Sequence, residues 1–90
     1  MQLPRRVVVT GMGLISPLGN SVKESWSNCI NGCSGISENI LDFEDMPIKV
    51  GGRIRDFDPT QYIDSKDIRR LDTFVQYGVS AGIQAIEDAG

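Results

Sequence analysis

Three consecutive valines running into a glycine-bearing turn, Val7-Val8-Val9-Thr10-Gly11-Met12-Gly13-Leu14-Ile15-Ser16-Pro17-Leu18-Gly19, constrain this chain more than any other stretch. β-Branched residues fit a pleated surface, and a run of them without polar alternation predicts a strand buried on both faces. Gly11 and Gly13 allow close backbone approach, or backbone angles barred to other residues. Strand plus glycine loop, taken alone, suggests a nucleotide site. The dinucleotide fingerprint, however, needs a third glycine where Ser16 stands, and Pro17 biases Ser16 away from helical angles where a helix should open. No Gly-Lys-Ser/Thr triplet follows, which excludes a P-loop.

With 90 residues, 40% hydrophobic and 23% charged, the chain fits one small soluble domain. A net charge of -3 gives no overall basic field for nucleic acid, so charge recognition must come from a local cluster. The N-terminal apolar run is too short for a membrane span and poor as a signal peptide, so the expected location is cytoplasmic. Cys29 and Cys33 are the only cysteines, and histidine is absent. Neither a Cys/His nucleophile pair nor a tetrahedral zinc site can be assembled from such a set, and the spacing is not that of a Cys-x-x-Cys redox motif. Both cysteines are expected to be packing residues or inert thiols, with no metal, no cofactor bound by the chain and no catalytic residue within it.

Beyond Gly19, Ser21 and Glu24 have the spacing of a capping box, and Gly32 suits the left-handed position after a last helical turn. Between them Val22, Trp26, Cys29 and Ile30 share one face, which predicts a helix covering a sheet, with Lys23, Ser27, Asn28 and Asn31 toward water. Residues 34–47 read as a surface connection and Ile48–Ile54 as a short strand bent by Gly51 and Gly52. Asp56–Thr60 is turn chemistry anchored by Tyr62 and Ile63. Leu71, Phe74, Val75, Gly78, Val79, Gly82, Ile83 and Ile86 recur at helical spacing, with Asp72 as the cap, and the small residues predict close packing against another element. Two strongly apolar elements with few strands to cover them suggest a truncated α/β unit.

Lys66, Arg69 and Arg70 form the one compact basic cluster, on a common face if this stretch is helical. Cations near a helix start oppose its dipole. Two readings follow: a solvated face neutralised by Asp64, Asp67 and Asp72, or a docking spot for an acidic partner or phosphate.

Three stretches in order, Arg5–Gly13 with Ser16-Pro17-Leu18-Gly19, then Gly32-Cys33-Ser34-Gly35-Ile36, then Arg69–Gly78, make the chain similar to the β-ketoacyl-acyl carrier protein synthases, closest to the type II elongating enzymes of bacterial fatty-acid synthesis. The resemblance covers almost the whole chain. It implies an α/β, thiolase-like layered αβαβα fold, with residues 1–90 as the N-terminal part of the synthase domain, truncated before the catalytic residues. It further implies a homodimeric enzyme that condenses acyl- and malonyl-carrier proteins through a cysteine and two histidines, none of which matches a position here. The substrate travels on the phosphopantetheine arm of acyl carrier protein. By the same resemblance Lys66, Arg69 and Arg70 become carrier-protein contacts. Alternatives are a polyketide-type ketosynthase, or a stand-alone module that binds an acidic carrier through the same three residues.

Overall fold

Helix signals close to each other in sequence act through local hydrogen bonds, and the first helix, α1 (Val22–Ile30), follows them at both ends. A computed structural model describes residues 4–38, 47 and 49–90. Ser21 is extended and its Oγ accepts the Glu24 N–H at 3.1 Å, while the Glu24 carboxylate reaches back to accept from the Asn20 N–H at 3.3 Å. The predicted box thus closes one residue further upstream than its usual form. At the other end Gly32, with φ of 74°, is left-handed. Its N–H donates to the Cys29 carbonyl and that of Cys33 to the Asn28 carbonyl, which together make a Schellman motif.

The face of α1 that meets the rest of the chain is the opposite of the predicted one. Ser25 is buried; its Oγ donates to the Gly19 carbonyl and shares a hydrogen bond with the Ser16 hydroxyl, while the Asn28 side chain donates to the Leu18 carbonyl. Trp26 and Ile30 are each 64% exposed, and Cys29 lies on the surface with them. Carbonyls of the tight turn Ser16–Gly19, bridged between its ends, need donors, and serine and asparagine supply them.

Ile36–Glu38 (β1) and Val50–Gly52 (β2) pair antiparallel, Ile36 opposite Gly52 and Glu38 opposite Val50. β1 falls inside the segment expected to be a connection, and the acidic stretch from Asn39 to Met46, like Ile48 of the expected Ile48–Ile54 strand, lies outside the described residues. A 3-10 turn, Pro59–Gln61, follows, capped by Asp58, and then α2 (Ser65–Ile68) and α3 (Thr73–Ala89). Ile63, 7% exposed, is the one buried apolar side chain among the described residues, in agreement with its role as an anchor. Phe57 meets Tyr77 edge to face, with ring centroids 5.2 Å apart, and ties the turn to α3. Asp72 holds the N-cap backbone position of α3, but its carboxylate makes no capping bond; its carbonyl accepts from Val75 and Gln76.

The valine run is where the expectation of a buried strand fails among the described residues. Val7, Val8 and Val9 are 92, 66 and 80% exposed and belong to no ladder. Further along, the segment lies directly on α3. A Cβ on Gly13 would sit 1.8 Å from the Ala81 carbonyl oxygen, and one on Gly11 2.3 Å from that of Ala85. The two glycines therefore serve close backbone approach, one of the two roles their type predicts. Between them Met12 N–H donates to Asp88 Oδ2 and Leu14 N–H to Gln84 Oε1, each at 3.0 Å.

Like α1, α3 turns its polar residues inward. Ser80 is completely buried, and Gln84 bonds Leu14, the Asn20 carbonyl and the Tyr62 hydroxyl at once, while Phe74 and Ile86 are exposed. Gly78 and Gly82, expected to admit a close neighbour, face open space among the described residues. The radius of gyration, 16.9 Å, exceeds the ~12 Å expected of a compact chain of this length. A layered sheet core is not formed by these elements alone.

Candidate functional site

The corner between α2 and α3 presents the basic cluster. α2 is only four residues long, but Arg69 retains right-handed helical angles, so the turn continues through it. Lys66, Arg69 and Arg70 consequently border one open depression together with Ser65, which is the common face their spacing predicted. All three are exposed. None of them forms a contact ion pair among the described residues, although Asp64 and Asp67 share a recess with Arg70. Residues 64–72 hold three cations and three carboxylates, so the corner is formally neutral; what sets it apart is that the depression is bordered by the cations while Asp64 and Asp67 line the recess on the other side of Arg70.

One residue missed by sequence reasoning holds this corner in place. Gln76, one turn into α3, donates from Nε2 to the carbonyls of Ile68 and Leu71, at 3.2 and 3.0 Å. These carbonyls bracket Arg69 and Arg70, so the side chain fixes the backbone that carries both guanidinium groups. Its signal in the sequence was a polar residue inside an apolar-periodic helix. Gln76, Ser80 and Gln84 recur every fourth residue and so share one stripe.

On the far side of Arg70 lies a second recess lined by Tyr62, Ile63, Asp64, Asp67, Leu71 and Val79. Arg70 borders both. The surface thus passes from a cationic patch to an apolar floor rimmed by carboxylates. Exposed guanidinium and ammonium groups around an open depression are suited to contact with an anionic surface. Cys29 and Cys33 lie elsewhere, both free and both exposed, so of the two alternatives expected, packing residue or inert thiol, the buried packing role is not what either has. A further polar pocket is lined by Ser16, Asn28, Cys33, Ser34 and Arg55, the last of which also donates to the Ser37 hydroxyl.

Comparison with known proteins agrees with the resemblance carried by the three motifs. The chain is 50% identical over 88 residues to 3-oxoacyl-(acyl-carrier-protein) synthase 2 of Vibrio harveyi, covering 96% of this chain and 21% of that protein. It is 40% identical over 90 residues to the protein of the same name from Staphylococcus aureus strain COL, covering 99% and 22%. For that from Coxiella burnetii the values are 42% over 87 residues, 96% and 21%. The chain thus spans about a fifth of the length of the curated relatives it matches. The family model for the β-ketoacyl synthase N-terminal domain matches residues 4–90, and the chain belongs to that family.

Proposed function

We propose that the chain is the N-terminal part of a 3-oxoacyl-ACP synthase that elongates fatty acyl chains in the cytoplasm, as a homodimer. In this reading an acyl group passes from carrier protein to a cysteine thiol. Malonyl-carrier protein then loses carbon dioxide, and the resulting carbanion attacks the acyl thioester and releases the cysteine. The cysteine and the two histidines that stabilise developing charge belong to the portion beyond the matched fifth, so these 90 residues alone have no condensing activity. The contribution of this chain is docking: Lys66, Arg69 and Arg70 receive the acidic surface of acyl carrier protein and the phosphate of its phosphopantetheine arm.

The observation that carries the docking role is three exposed cations, bordering one depression, with no ion pair among the described residues. Charges so placed steer encounter and fix orientation more than they add affinity. The test is a chimera in which residues 4–90 replace the matching segment of the Vibrio harveyi relative. It should condense acyl- and malonyl-carrier protein. Arg69→Glu with Arg70→Glu should lower kcat/KM for carrier-bound substrate at least tenfold, mainly through slower association, and by much more than for a free pantetheine thioester. Equal losses with the two substrates, or no loss, would refute the docking role.

A further inference from the structure

Residues three and four apart on a helical turn share a face, so the order Asp64, Lys66, Asp67, Arg69, Arg70 interleaves two stripes of opposite charge. α2 and the helical Arg69 sort these stripes onto two sides of one corner. Lys66 and Arg69 border the open depression, Asp64 and Asp67 line the neighbouring recess, and Arg70 borders both. The floor of that recess is apolar, with Ile63, Leu71 and Val79. Neither carboxylate is engaged within the chain. Asp64 makes no capping bond at the start of α2, and neither aspartate side chain accepts a hydrogen bond or meets a cation at contact distance among the described residues.

Arg70 alone gives an acidic partner no register. A carboxylate paired with it can come from a helix lying over the depression, or from one turned across Arg70 with its apolar side chains in the recess. Asp64 and Asp67 separate the two poses, since only the second brings like charges together. We propose that Asp64 and Asp67 are specificity-determining residues that fix the register of the acidic carrier by repelling it from the apolar recess. This rests on the docking reading of Lys66, Arg69 and Arg70. Net charge alone favours their removal, because each neutralised carboxylate strengthens the pull on an acidic partner. A register role gives the opposite result for turnover: the carrier is captured as well or better, but its thioester is delivered from a misplaced arm.

The test is Asp64→Asn with Asp67→Asn in the chimera, beside Asp72→Asn, which removes a carboxylate that borders neither recess and makes no capping bond. With carrier-bound substrate the aspartate pair variant should lose at least fivefold in kcat while association stays as fast or quickens. Its kcat for a free pantetheine thioester should stay within twofold, and Asp72→Asn should match the unsubstituted chimera. On addition of carrier protein, the methyl resonances of Ile63, Leu71 and Val79 should move at least threefold further in the pair variant than in the parent. An unchanged or higher kcat overturns the proposal, as does an equal loss with both substrates. The same loss in Asp72→Asn, or a loss without added movement of the recess methyls, also overturns it. Failure of the docking reading has a separate mark, since Arg69→Glu with Arg70→Glu would then cost nothing. If that reversal is costly and the aspartate pair is silent, docking stands and the register role falls.

Discussion

Replacing Gly13 by alanine is the sharpest perturbation of this structure, because every close neighbour of the new atom is backbone of α3. Its Cβ would lie 1.8 Å from the Ala81 carbonyl oxygen and 2.8 Å from the Ala85 nitrogen. Neither can rotate away. To restore even 3.0 Å, the N-terminal segment must retreat from α3 by roughly 1.2 Å, which stretches the Leu14–Gln84 bond of 3.0 Å beyond hydrogen-bonding range. Overpacking of this kind costs about 1–3 kcal/mol, and each lost hydrogen bond about 1 kcal/mol, more where Met12 meets the charged Asp88. Against this stands a gain of about 0.4–1 kcal/mol from a stiffer unfolded chain. The net loss is about 3 kcal/mol, which corresponds to roughly a hundredfold faster amide exchange through local opening. The assay is hydrogen exchange at Met12 and Leu14 in the chimera, with Gly51→Ala as control, since a Cβ there meets nothing within 4 Å. Acceleration below fivefold would refute the backbone-contact argument.

Two further outcomes follow from particular side chains. Gln76→Ala leaves the Leu71 carbonyl without its side-chain donor and the Ile68 carbonyl with only the long 3.4 Å bond from the Leu71 N–H, so amides of residues 69–71 should exchange about tenfold faster and carrier association should slow without any change of charge at the patch. Asp58 accepts from the Thr60 hydroxyl and N–H, which lowers its pKa below the ordinary 3.8. A depressed carboxylate stabilises the 3-10 turn fully above that ordinary value and loses its contribution as pH falls through the lower, folded one. An NMR titration of the Thr60 amide should show the transition at that lower pH, and Asp58→Asn should abolish it.

What the sequence disclosed divides by the range of the interactions. Ser21, Glu24 and Gly32 bound α1 through bonds spanning three to five residues, and the caps were legible for that reason. α3 was legible from its periodicity, but not which side it would turn inward. The apolar repeat predicted Phe74 and Ile86 inside, yet Gln76 and Gln84 face the chain because backbone groups of the corner, the N-terminal segment and Asn20 need partners there, and Ser80, between them on the same stripe, is buried with its hydroxyl unpartnered. β1 is too short to announce itself, and no local pattern could say whether the valine strand finds its neighbours. At the basic corner the spacing correctly brought Lys66, Arg69 and Arg70 to one depression. The brace supplied by Gln76 depends on how two helices meet, which a helical repeat does not encode.

The outward apolar faces of α1 and α3 also have a consequence in time. In a polypeptide as long as the relatives, about 330 residues remain to be made after this stretch, which at ~5–20 residues per second takes roughly 15–65 s. During that interval Trp26, Ile30, Phe74 and Ile86 are presented to the cell as a nascent, sticky surface. In a polypeptide of that length, whatever covers these four side chains from later in the chain can do so only after that interval.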